Sequence, residues 1–90
     1  MTYHFRQFHI PDRMMGGLQR WIELGVPPGN FLSAVLTNDL AKACGRADDE
    51  NIENLPAYIV YLYNEAPSQC WGSVEKVQAW KETKNDPLSS

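Results

Sequence analysis

The sequence predicts an all-α fold: a compact bundle of three to four short helices, with an extended N-terminal arm and a frayed C-terminal tail. Three observations carry that expectation. Apolar residues recur at helical spacing in successive segments, glycine and proline separate those segments, and strand-type alternation is confined to the first ten residues. The 90 residues suit one domain, with an arm over 1–10, a helical core over 11–81 and a flexible tail over 82–90.

The arm, "MTYHFRQFHI", alternates weakly, with Tyr3 and Phe5 toward one side and Phe8 and Ile10 toward the other. A single extended segment cannot complete a sheet, so the arm is expected to pair with a second copy or to lie on the helices. The first helix should run from Pro11–Asp12 to Gly25, burying Met14, Leu18, Trp21, Ile22 and Gly25. Gly25 is a natural stop and "VPPG" prevents continuation. Inside this helix Gly16 and Gly17 each cost about 1 kcal/mol against Ala, which close packing or a closely approaching ligand would offset.

A second helix is expected from Asn30, a good cap, to Cys44, with Gly45 ending it. Its stripe of Leu32, Val35, Leu36 and Ala43 is interrupted by Asp39. A carboxylate there must find donors or sit at the edge of the stripe in water, because an unpaired buried charge is costly. Arg46, just past the helix end, or the free N–H groups opening the third or fourth helix can supply them. Asp39 is therefore expected to be a structural polar group with Arg46 as a candidate partner. A ligand-holding or basic role is the other reading.

The third helical segment spans Asp48 to Asn64, with Ile52, Leu55, Ile59, Leu62, Tyr63 and Ala66 on one face. Pro56 either kinks one continuous helix or, the favoured reading, divides it into two abutting pieces, the second capped by Asn54 with proline in its opening turn. Asp48 is the N-cap of the first piece, and the acidic run "RADDEN" suits the positive helix end. Ser73 should cap a fourth helix that turns Val74, Val77 and Trp80 inward, and residues from Glu82 onward read as tail.

Composition narrows function. The chain is 43% apolar and 21% charged with net charge −3, so disorder is expected only at the ends. No apolar run approaches the ~20 residues of a membrane span, and no secretory signal opens the chain, which favours a cytoplasmic protein. The acidic balance and the lack of a basic recognition helix disfavour nucleic acid. Cys44 and Cys70 are expected to be free thiols. His4 and His9, five residues apart, fall on opposite faces of one strand, and no metal-ligand spacing joins them to either cysteine. Neither a metal nor a cofactor is expected, and no serine or cysteine sits in a nucleophile context, so the chain is not expected to be an enzyme.

Two surface features stand out. Arg13, Gly16, Gly17 and Arg20 share a patch on the first helix where two arginines could clamp an anion over the glycines. The bland alternative is helix packing at the glycines beneath solvated arginines. On the third helix Tyr58 and Tyr61 lie off the apolar face, and Trp71 in the following loop can join them as an interface; the bland alternative is that each covers an edge of the core in so small a domain. Gly72–Ser73 adds an open helix N-terminus, a weak signal by itself.

The stretches "IELGVPPGNFLSAVLTNDL", "GRADDENIENLPAYIVYLYNEAP" and "CWGSVEKVQAW" resemble a group of small uncharacterised proteins of tailed phages, prophages and other mobile elements of Proteobacteria. The resemblance runs from the first helix to the end of the fourth. It implies a setting, an accessory gene acting inside a bacterial host cell, and transfers no activity and no catalytic residue. The expectation is a non-catalytic protein that binds and modulates a host protein, as a counter-defence or regulatory inhibitor. The alternative is an oligomer that sequesters a small molecule such as a nucleotide signal in a pocket shared between subunits.

Overall fold

The first ten residues fold back on themselves. A computed structural model describes residues 3–85, and in it β1 (Tyr3–Phe5) and β2 (Phe8–Ile10) form an antiparallel hairpin. The expected lone arm therefore finds its partner strand within itself, across a two-residue loop at Arg6–Gln7. Arg6 takes φ +55°, a turn conformation ordinarily marked by Gly or Asn, and no such residue announces it here. The register Tyr3↔Ile10, His4↔His9, Phe5↔Phe8 puts all four apolar side chains on one face, where they meet the helices. The fold is thus mostly helical with a small two-stranded sheet, not purely α.

α1 (Asp12–Leu24) buries Met15, Leu18 and Trp21, with Met14 and Ile22 at the edge of that face. Gly25, at φ +68°, ends it with its N–H on Trp21 O at 3.0 Å.

The helix expected over 30–44 is two helices, α2 (Asn30–Leu36) and α3 (Leu40–Arg46). Asn38 enters the left-handed region at φ +61°, its N–H reaching Val35 O at 3.1 Å, while Asp39 N–H reaches Ala34 O at 2.9 Å. Those two bonds are a Schellman stop. The chain then restarts at once, because Asp39 Oδ1 accepts from Lys42 N–H at 3.1 Å and caps α3. The carboxylate is a local cap on a partly exposed side chain, not the tertiary cap or buried ion pair expected of it. Arg46 is not its partner: Lys42 Nζ lies 3.8 Å from Asp39, and Arg46 is the exposed last residue of α3. Gly45 lies inside α3 and ends nothing.

Pro56 does divide the next segment, into α4 (Asp49–Glu53) and α5 (Leu55–Glu65), with proline in the opening turn of α5. Asp48 caps α4 through Asn51 N–H at 2.8 Å. The buried Asn54 carboxamide joins elements instead of capping α5: its oxygen accepts from His9 N–H at 2.9 Å and its nitrogen donates to Glu50 O at 2.8 Å. That bond, with Tyr3 set edge-on against Tyr61 at 5.1 Å, docks the hairpin on α5.

Docking the hairpin rotates α5 relative to expectation. Its buried residues are Ala57, Tyr58 and Leu62. Ile59 and Tyr63, expected inside, are 37% and 78% exposed, a shift of about one residue or roughly 100° around the helix.

A 3-10 turn (Ser68–Cys70) leads to α6 (Val74–Asn85), where Ser73 Oγ accepts from Lys76 N–H at 3.1 Å. Val77 and Trp80 pack on the core, whereas Val74 is 63% exposed, because it opens the helix beyond the reach of α1. α6 continues through Asn85, so it enters the stretch expected to fray at 82; residues 86–90 of that tail lie outside the described residues.

Asp39→Ala should lower stability by about 1 kcal/mol, the usual worth of a side-chain N-cap, while Asp39→Asn, which also caps, should melt close to wild type. Equal melting of all three proteins would contradict the capping role. Tyr58→Phe should cost about 1–3 kcal/mol in chemical denaturation, because its hydroxyl donates to buried Asn51 Oδ1 at 2.6 Å and would leave that oxygen unpaired.

Candidate functional site

The expected tyrosine interface does not form. Tyr58 is fully buried, its ring edge-on to Phe31 at 5.2 Å, and burial drives its hydroxyl pKa well above the ordinary range. Tyr61 is half-buried beneath Tyr3, and its hydroxyl is shifted upward by burial first and Glu65 second. Both belong to the packing between α5, the hairpin and α2. The outward apolar residues of α5 are instead Ile59 and Tyr63, and only Trp71 of the expected aromatic cluster lines the same surface.

Trp71 is held there by one bond on either side. Trp21 donates its indole N–H to Cys70 O at 2.9 Å, and Gly72 N–H donates to Leu36 O at 2.7 Å. These pin the loop between the end of α2 and the start of α6. Gly72 takes φ +113°, a conformation other residues avoid, and the Lys76 side chain lies over it. The result is a concave surface lined by Asn38, Ile59, Tyr63, Trp71, Gly72 and Lys76. A smaller depression shares Asn38 and Ile59 with it and is lined by Ala34, Val35, Ala43 and Leu55 together with Asp39, whose carboxylate is engaged by Lys42. Leu40, 63% exposed, stands at the far rim.

The arginine patch is divided. Arg13 donates to Asp48 Oδ2 at 3.1 Å and Glu50 Oε1 at 2.8 Å, so its charge is already met by two carboxylates. Those bonds, Glu50's first, raise the Arg13 pKa above its ordinary value. The expected two-arginine clamp is therefore absent, because only Arg20 remains without a carboxylate among the described residues of that patch. Arg20 lies along Gly16, where an added Cβ would meet its guanidinium at 3.2 Å. Gly17 faces Leu32 of α2, so one glycine serves helix packing and the other makes room for an arginine.

His4 and His9, expected on opposite faces, are brought face to face by the hairpin, with ring centroids 6.0 Å apart. His9 Nε2 lies 3.7 Å from Glu50. Among the described residues no group of three or more His, Cys, Asp and Glu side chains is placed to hold a metal ion. Cys44 is an exposed free thiol; Cys70 is buried, which pushes its thiol up to about 11. No helix of the described residues is long and apolar enough to cross a membrane.

Comparison with protein-family models, with curated proteins and with solved structures finds no match to this chain.

The Asp48 carboxyl sits below its ordinary value of 3.8, chiefly because it accepts from Asn51 N–H, with Arg13 adding to the effect and desolvation opposing it. A folded value below the unfolded one contributes stability that is complete above the unfolded value and is lost as pH falls through the folded one. Thermal melting should thus fall on acidification below 3.8. Asp48→Asn should weaken that acid dependence; parallel melting curves for the two proteins would contradict it.

Proposed function

We propose that the protein is a non-catalytic binding protein that covers a surface of a partner protein, and that its docking face is the outward row of α5 together with Trp71 and Leu40. The observation that carries this reading is the exposed apolar row itself. Tyr63, Leu40 and Ile59 are 78%, 63% and 37% exposed and line two depressions that share Asn38 and Ile59, whereas the other exposed apolar side chains, among them Leu24 and Val74, line neither. Tyrosine and tryptophan at the centre of such a patch are the side chains that most often anchor an interface. The resemblance to small phage and mobile-element proteins supports a bacterial host protein as the partner, with inhibition or counter-defence as the consequence of covering it.

A tagged protein incubated with host lysate should retain a partner, and the double variant Ile59→Ser/Tyr63→Ser should lose it while melting within about 0.5 kcal/mol of wild type, as exposed substitutions do. Capture of no partner, or undiminished capture by the double variant, would contradict this face.

A further inference from the structure

We infer that the groove takes an acidic amphipathic peptide segment, with a carboxylate meeting Lys76 and a large apolar side chain lodged between Tyr63 and Trp71. This rests on the docking face proposed above and adds the chemistry of what it binds.

Lys76 is the residue that points to an acid. It occupies the third position after the Ser73 cap, where its N–H is bound by Ser73 Oγ at 3.1 Å. At that place Glu or Gln would close a reciprocal capping box and suit the positive helix end, whereas a cation opposes the dipole. The Lys76 side chain is exposed to solvent. It folds back over Gly72, whose added Cβ would lie 3.7 Å from Lys76 Cδ and 3.8 Å from Nζ, so the ammonium lines the groove.

No carboxylate neutralises it. In a chain of net charge −3, Arg13 is paired with Asp48 and Glu50 and Lys42 with Asp39, while Arg6 and Lys84 lie over the rings of Phe5 and Trp80. Lys76 has no such partner among the described residues. Arg20 and Arg46 also lack a carboxylate among the described residues, but the depression beside Arg20 contains no aromatic ring and Arg46 does not line the groove. An unpaired cation next to Tyr63 and Trp71 selects a ligand that is anionic and apolar at once.

The shape selects a chain segment over a compact small molecule. The wide part at Tyr63 and Trp71 runs through shared Asn38 and Ile59 into the narrow part at Ala43 and Leu55, where the Asp39 carboxylate is already met by Lys42, so the ligand's acid belongs at the Lys76 end. Successive apolar side chains of one segment, a large one and then a small one, fit that sequence of depressions. Asn38, held between them with φ +61°, offers both a donor and an acceptor to the segment's backbone.

The test is selection from a library of random short peptides displayed on yeast, followed by titration of the enriched peptides in synthetic form. Enriched sequences should carry Asp or Glu within one helical turn of Trp, Phe or Leu. Their affinity should fall about tenfold or more on Lys76→Glu and recover when the peptide acid is changed to Lys. Lys76→Glu is suited to this test because a glutamate there completes the capping box, so the fold is retained. Peptides that need Tyr63 but show no acidic preference, or no loss on Lys76→Glu, would overturn the inference and leave the docking face standing. Failure to enrich any peptide sensitive to Tyr63→Ser would overturn both. So would sedimentation showing a dimer that Tyr63→Ser dissolves, since a second copy would then be the occupant.

Discussion

Trp21 is the point on which the C-terminal half of the molecule depends. Its side chain is fully buried, its indole N–H is given to Cys70 O, and its own carbonyl receives the indole N–H of Trp80 at 3.0 Å. One residue of α1 thereby holds both the loop before α6 and α6 itself. The need is plain from α6, whose described side chains include none that is fully buried. Such a helix gains little from apolar burial, so directed bonds and the partial cover of Val77 and Trp80 must keep it in place. A large indole also leaves little freedom: a buried N–H without an acceptor would cost about 1–3 kcal/mol, so the loop backbone has to come to it.

That constraint reaches the surface. With Cys70 fixed by Trp21 and Gly72 fixed by Leu36, the intervening Trp71 has its backbone tied on both sides. On the opposite wall the hairpin presses on Tyr61 and Asn54, which turns Ile59 and Tyr63 outward. The stop and restart at Asn38–Asp39 supplies the third side. Each of these features answers first to folding, and the groove is what their combination leaves open.

Some of this was legible from residue order alone. Asp48, Ser73, Gly25 and Pro56 announced their roles because caps, stops and proline act locally, and a local rule needs no knowledge of the rest of the chain. Asn38–Asp39 carried a local signal too, a left-handed stop followed by a cap, but continuous apolar spacing on either side masked it. The hairpin had no signal, since Arg6–Gln7 is not turn chemistry. Missing it misplaced the buried face of α5, because a helix with apolar residues most of the way round takes its orientation from its neighbours. Tyr58 and Tyr63 exchanged places for that reason. Arg13 was misread as free because Asp48 and Glu50, which neutralise it, are 35 and 37 residues away along the chain.

The most direct measurement of this account is hydrogen exchange at the three indole N–H groups, followed one by one by NMR under native conditions. The Trp21 proton should exchange only with global unfolding, because it is buried and bonded to Cys70 O. The Trp80 proton should be slowed by its bond to Trp21 O, and that of half-buried Trp71, facing the groove, should exchange fastest. A Trp21 proton that exchanges as fast as that of Trp71 would contradict the claim that this residue holds the loop, and with it the groove, in place.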